Sequence, residues 1–342
     1  MFPNLAFSAT SRCDEKVQLN MRTRPCLESG TLFVSSEPRR EQQRGLRYIK
    51  PCLADTEFSA GPESERTGGQ RWGGVILELR KSVPPVHPKA SFNFVQSRWT
   101  VPNVAFPDLP SIFARTKASE KAQGSTLACT VWVGFNGIGG PHEQAQLWQG
   151  GTQSNLDIAT GATWFYTWFQ VLGPHGTGKE FFLNLPVSAG DLIEVSIKKI
   201  GSVPPLGTES NLRVTFQGAA HFTYTNHTSR TFTEFKYFCQ DPLFGRSVEW
   251  IVERPGQAPK LEWLPRFGSV YFSNASCRFN DGSGGSADEV VRPGALPPDL
   301  EGRNITSFRL QRDSAGKQLT AASTPSAGLV LCDYVGPSWR RT

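Results

Sequence analysis

The feature that most constrains this chain is a succession of short alternating runs, each closed by a turn residue. Phe92–Val101 stops at Pro102, Thr130–Phe135 stops at Asn136-Gly137, and Val248–Glu253 ends at Pro255. Trp72–Leu77, Ile193–Ile197, Leu212–Phe216 and Ser269–Phe272 share the texture. Side chains two apart in an extended strand point to the same face, so such runs write one face of a sheet apolar. A helix would repeat its apolar residues every three to four positions, and no sustained pattern of that kind runs through residues 71–335. The 23 Phe and 9 Trp suit a pleated surface, and the 33 Gly and 25 Pro suit the turns between strands. The expected fold is all-β, a sandwich or barrel of antiparallel strands.

Residues 1–70 are different. Arg39-Arg40-Glu41-Gln42-Gln43-Arg44 and Gly61–Gly69 lack a core-forming pattern, which reads as a polar leader or prosegment, largely disordered. Residues 71–342 form the β domain. The net charge of +6 comes from scattered basic residues, which reads as a solvated surface and not a nucleic-acid interface. No apolar run approaches the roughly 20 residues of a membrane span. The start of the chain does not read as a signal peptide. Even so, Asn226-His-Thr, Asn274-Ala-Ser and Asn304-Ile-Thr match the glycosylation pattern of exported proteins.

Many familiar sites are missing. His142-Glu143-Gln144-Ala145-Gln146 begins like a zinc-protease helix, but position 146 is Gln where the second His ligand belongs. No metal or other cofactor is expected. There is no G-x-S-x-G elbow, no phosphate loop and no Asp-Thr/Ser-Gly triplet. The seven cysteines form no C-x-x-C pair. Cys129 reads as a buried thiol, and Cys239, Cys277 and Cys332 offer at most one disulfide.

Two segments remain. In Trp164–Gln170, alternation sets Trp164, Tyr166, Trp168 and Gln170 on one face and Phe165 and Phe169 on the other. The first face serves either as core or as the floor of a cleft. In Val248–Glu253, Val248, Trp250 and Val252 make the core side, and Glu249, Ile251 and Glu253 the other. Two carboxylates there are either solvated or, in a cleft wall, a general acid or base.

With these segments in view, the chain resembles the glutamic peptidases, or eqolisins, over roughly residues 71–335. The resemblance rests on ordered blocks: Trp72-Gly73-Gly74, Trp99-Thr100-Val101-Pro102, Trp132-Val133-Gly134-Phe135-Asn136-Gly137, Leu147-Trp148-Gln149-Gly150-Gly151, Trp168-Phe169-Gln170, Gly190-Asp191, Val248–Glu253 and Phe267–Phe272. It implies a sandwich of two seven-stranded antiparallel sheets, concanavalin A-like or jelly-roll in type. It implies a secreted, acid-acting endopeptidase, monomeric, with polypeptide substrates. Gln149 and Glu253 match the family's catalytic pair. Trp132, Asn136, Gln153, Trp168, Gln170 and Glu249 are assigned with them to substrate binding. Asn136 and Gln170 are amides where the family commonly carries acids, which implies a weaker need for strong acid. The alternative is an inactive relative that binds peptide or carbohydrate.

Overall fold

The computed structural model describes residues 30–35, 71–79, 82, 85–107, 126–137, 146–173, 178–201, 217–257, 260–261, 264–283, 288–303, 305–311 and 318–336. Its strands, in chain order, begin with β1 (Gly30–Ser35), β2 (Trp72–Glu78), β3 (Ser91–Thr100), β4 (Thr126–Phe135), β5 (Trp148–Asp157) and β6 (Thr163–Val171). They continue with β7 (Glu180–Phe182), β8 (Leu192–Lys199), β9 (Gly218–Asn226), β10 (Thr231–Cys239), β11 (Ser247–Glu253) and β12 (Gly256–Gln257). The last are β13 (Lys260–Leu261), β14 (Ser269–Asn280), β15 (Glu289–Val291), β16 (Thr306–Arg309), β17 (Thr320–Ser326) and β18 (Leu329–Tyr334). No helix appears among the described residues.

Two antiparallel sheets carry the molecule. One has seven strands in the order β16-β2-β11-β4-β5-β6-β7. The other has nine, in the order β1-β10-β9-β8-β3-β14-β18-β17, with β15 added on β14. The expectation of two seven-stranded sheets is thus met on one side only. The second sheet is widened by strands such as β1, which pairs along β10 from Gly30↔Cys239 to Ser35↔Glu234. The rest of the 1–70 leader and the Leu212–Phe216 run lie outside the described residues.

The main core lies between the sheets. The seven-stranded sheet contributes Val75, Leu77, Val131, Val133, Phe169, Val171, Val248, Trp250 and Val252. The facing sheet contributes Val95, Trp99, Ile193, Val195, Phe222, Tyr224, Phe235 and Phe272. Three polar side chains carried inward find partners across the gap. Trp250 Nε1 donates to the Gln96 carbonyl at 3.0 Å, Trp99 Nε1 to Thr152 Oγ1 at 2.9 Å, and the Tyr224 hydroxyl to the Trp168 carbonyl at 2.8 Å. Each bond spares a buried donor its desolvation penalty and pins one sheet on the other.

Cys129, Cys239, Cys277 and Cys332 are all buried free thiols, so the disulfide offered by the last three is not formed. Burial pushes the Cys239 thiol up to about 12, which leaves it inert as a nucleophile. The sequons also separate. Asn226 is buried, its amide donating to the Pro186 carbonyl and Asp191 Oδ2, so it serves the fold. Asn274 is exposed, and Asn304 lies outside the described residues.

Candidate active site

The seven-stranded sheet has a second face, turned away from its partner, and strand register lays its residues out in rows. The first row runs Ile76, Glu249, Gly134, Gln149, Gln170 and Glu180 across β2, β11, β4, β5, β6 and β7. The second runs Gly74, Ile251, Trp132, Gly151, Trp168 and Phe182. The third runs Trp72, Glu253, Thr130, Gln153 and Tyr166. Directly paired residues share a face, so one surface gathers three carboxylates, three glutamine amides and several aromatic rings.

The Gln149-Gly150-Gly151 run has a steric reason. Gly151 sits between Trp132 and Trp168, and a Cβ there would lie 2.7 Å from the Trp132 Cβ and 2.0 Å from the Val131 carbonyl oxygen. Its neighbour Gly150 faces the core, where a Cβ would come within 1.9 Å of the Tyr224 hydroxyl. The paired glycines therefore let indoles close over one face and the inter-sheet hydrogen bond form beneath the other. Trp72 adds an edge-on ring against Trp132, with centroids 5.1 Å apart. Trp72, Ile76, Trp132, Leu147, Trp168, Leu172 and Ile251 form a separate apolar cluster on this face, with Tyr166 packed against it. The Tyr166 and Trp168 stripe therefore packs into core, the first of the two uses left open for it. Trp164, at the outer end of the stripe, is 41% exposed.

Both carboxylates of β11 are fully buried, which sets aside the solvated one of their two readings. Glu253 Oε2 accepts from Trp132 Nε1 at 2.7 Å. Glu249 Oε1 accepts from Ser247 Oγ at 2.6 Å and from the Gly137 amide at 3.0 Å. The Asn136-Gly137 turn supplies that amide. Asn136 has φ of 63°, a left-handed conformation that Asn tolerates better than most residues. Its Oδ1 accepts from the Arg246 amide at 2.8 Å, so Asn136 is engaged in holding the approach to β11 and lies off the three rows. Burial pushes the Glu249 carboxyl up to about 7, against the two donors that favour its anion. The like charge of Glu78 adds to the rise and Arg309 opposes it.

The amides are linked. Gln149 Nε2 donates to Gln170 Oε1 at 2.7 Å, and Gln170 Nε2 donates to the Gly178 carbonyl at 3.0 Å. Gln153 Nε2 donates to Asn155 Oδ1 at 2.6 Å. Several polar atoms on the face have no partner: Gln149 Oε1, Gln153 Oε1, Trp72 Nε1, Trp168 Nε1, Glu249 Oε2 and both Glu180 oxygens. Buried polar atoms are nearly always satisfied, so orphans concentrated on one face mark a surface built to receive hydrogen bonds from elsewhere. Among the described residues, no three His, Cys, Asp or Glu side chains gather as a metal site.

Register thus brings Gln149, Glu253, Trp132, Gln153, Trp168, Gln170 and Glu249 onto one face. Glu180 is the member that sequence reasoning missed. It lies in the three-residue β7, too short to show alternation, and only its pairing with Gln170 puts it on the rows.

A water-poor β-sheet face that sets carboxylates and carboxamides among indoles is the kind of site a hydrolase uses for proton transfer and oxyanion binding. The chain matches the model of the Peptidase A4 family over residues 70–314 and belongs to that family, the glutamic peptidases, which makes it a peptide hydrolase. Among solved structures it is similar to the aspergilloglutamic peptidase from Aspergillus niger, at 22% identity and a TM-score of 0.43, over 61% of this chain and 99% of that one. No curated protein matches it.

Proposed function

We propose that the protein is an acid-acting endopeptidase whose reaction is run by Glu253 and Gln149. Glu253 as carboxylate takes a proton from water while that water attacks the scissile carbonyl. The protonated Glu253 then passes the proton to the leaving amine, so the carboxylate is regenerated when the peptide bond breaks. Gln149 does not ionise. One N–H of its Nε2 is committed to Gln170, and the other is available to the oxyanion that forms on the substrate. A preorganised donor of this kind contributes about 2.7–4 kcal/mol at the transition state. A positioned acid–base carboxyl contributes roughly 10²–10⁴-fold.

The observation that carries this reading is the fixed orientation of Glu253 by Trp132 on the face that also holds Gln149. Glu253 lies four residues along the ladder from Gln149's row, across the strand that carries Trp132. Its charge is felt at Glu180, which is in that row. Trp132 and Trp168 supply apolar walls for substrate side chains. Gln153, Gln170 and Glu249 offer polar contacts to the peptide. We further propose that the enzyme is secreted and acts as a monomer, with Asn274 as an accessible sequon.

The test is cleavage of denatured casein across the acid range, with pepstatin present, by wild type and by Glu253→Gln. Cleavage by wild type alone supports the reading. Cleavage by both removes Glu253 from the mechanism. Binding of casein without cleavage by either, on the chain freed of residues 1–70, points to the inactive binding relative.

A further inference from the structure

The dyad accounts for Gln149 and Glu253, but it leaves unexplained a carboxyl that folding has placed on the same face of the sheet. Glu180 is 4% exposed, and neither of its oxygens has a hydrogen-bond partner. It stands directly opposite Gln170, which stands directly opposite Gln149. Opposed pairs of this kind hold their Cβ atoms about 4.5–5.5 Å apart, so Glu180 and Gln170 are within side-chain reach. Salt bridges among the described residues do not include Glu180. A buried carboxylate with neither a donor nor a cation is strongly disfavoured, and such a group keeps its proton.

The groups around Glu180 do not change that conclusion. From β6 it faces Gln170, with Trp168 and Tyr166 further along. From β5 the row adds Gln149. Phe182 is the same-face residue on its own strand, and Lys179 precedes it on the chain. From β11 come two carboxylates, Glu249 in the same row and Glu253, whose charge acts on Glu180. The two acids are treated differently. Glu253 has the Trp132 N–H as a donor, the partner that an anion needs, and Glu180 has none. Two carboxyls that interact across a dry face ionise in two steps, the second at higher pH than the first. Here the donor pattern says which of the two ionises last.

We propose that Glu180 is a positioning residue of this site, a carboxyl that stays protonated while Glu253 is ionised, and that loss of its proton sets the upper pH limit of activity. The inference rests on the dyad reading given above. Burial, reinforced by the charge of Glu253, pushes the Glu180 carboxyl well above the usual range, in keeping with it. Two consequences follow when the proton leaves. A second negative charge enters the face on which the substrate oxyanion must form, opposing it. The new carboxylate also competes with the Gly178 carbonyl for the Gln170 Nε2 donor. Turning Gln170 removes the acceptor that now orients the Gln149 amide.

The experiment has two readouts on the full-length protein. The first is infrared difference spectroscopy of wild type against Glu180→Gln as pH is raised from acid. It is expected to show a protonated-carboxyl stretch that belongs to Glu180 and persists after the other carboxyls have ionised. This readout needs no proteolysis, so it stands whether or not the dyad assignment does. The second is the profile of kcat/KM against pH for wild type, Glu180→Gln and Glu249→Gln, with Glu180→Asp as a further variant. In Glu180→Gln the upper limb is expected to move up by about one unit or more. In Glu180→Asp, which restores a titrating group, an upper limb is expected to remain. Loss of the Glu180 carboxyl signal at ordinary acid pH overturns the proposal. So does an upper limb that Glu180→Gln leaves in place, or one that responds to Glu249→Gln alone.

Discussion

The two faces of the seven-stranded sheet are built from the same strands and behave oppositely. On β11, Val248, Trp250 and Val252 enter the apolar interior and meet the other sheet, and Trp250 has its one polar atom bonded to Gln96. One residue out of phase, Glu249, Ile251 and Glu253 are just as deeply buried, but among amides and indoles with orphan polar atoms. Burial alone therefore does not distinguish structure from site in this protein. The density of open hydrogen bonds does. The interior between the sheets bonds Trp99, Trp250 and Tyr224 and leaves Trp148 Nε1 open, whereas orphan atoms crowd the outward face. Stability is expected to reside mainly in the first and chemistry in the second.

That division can be broken by substitution, and the largest effect is expected on the outward face. Glu253→Gln is nearly isosteric and should cut kcat by roughly 10²–10⁴-fold while leaving the unfolding midpoint close to wild type. A parallel collapse of stability would show that Glu253 is a structural acid. Next comes Trp250→Ala on the inward face, expected to cost about 3–5 kcal/mol in denaturant unfolding with no change in the identity of the cleavage products.

A pH effect on stability sharpens the comparison further. The Glu249 carboxyl sits at about 7 in the folded protein against an ordinary 4.5. A raised folded value means stability that is present in full below pH 4.5 and is lost as pH climbs through 7. Folded Glu180 is shifted in the same direction. Unfolding free energy should therefore fall on the order of 3 kcal/mol between those limits on account of Glu249, and Glu249→Gln should flatten the curve. A curve that keeps its full slope in that variant would assign the pH dependence elsewhere. The smallest expected effect tests the inward face once more. Gly150→Ala pushes a methyl into the Tyr224 hydroxyl and should cost about 1–3 kcal/mol, read as a lowered Tm.

Much of this was legible in the sequence, for identifiable reasons. Strands β2, β3, β4, β6, β8, β11 and the start of β14 show alternation or apolar runs because they are long and carry β-branched or aromatic residues. The β5 strand hides, since Thr152, Gln153, Ser154 and Asn155 are polar and still buried. Both faces of the sheet are covered there, so no polar-out pattern is written. The Asn136-Gly137 turn was readable, but its task of handing an amide to Glu249 was not. Neither was the role of Gly150 and Gly151, whose missing side chains make room for residues from other strands.

By itself the sequence determined that this chain is all-β, which side of each long strand turns inward, and, through its ordered blocks, the family, and the same blocks pointed to Gln149 and Glu253 as the pair proposed above. Those follow from local alternation and from the spacing of residues along the chain. Only the tertiary structure decided that the carboxylates of β11 are buried, that the four described cysteines stay unpaired, and that Glu180 joins the row of Gln149 and Gln170. The physical reason is that burial and electrostatic neighbourhood depend on register between strands far apart in the chain. A three-residue strand like β7 has no pattern of its own to reveal which neighbours it will meet.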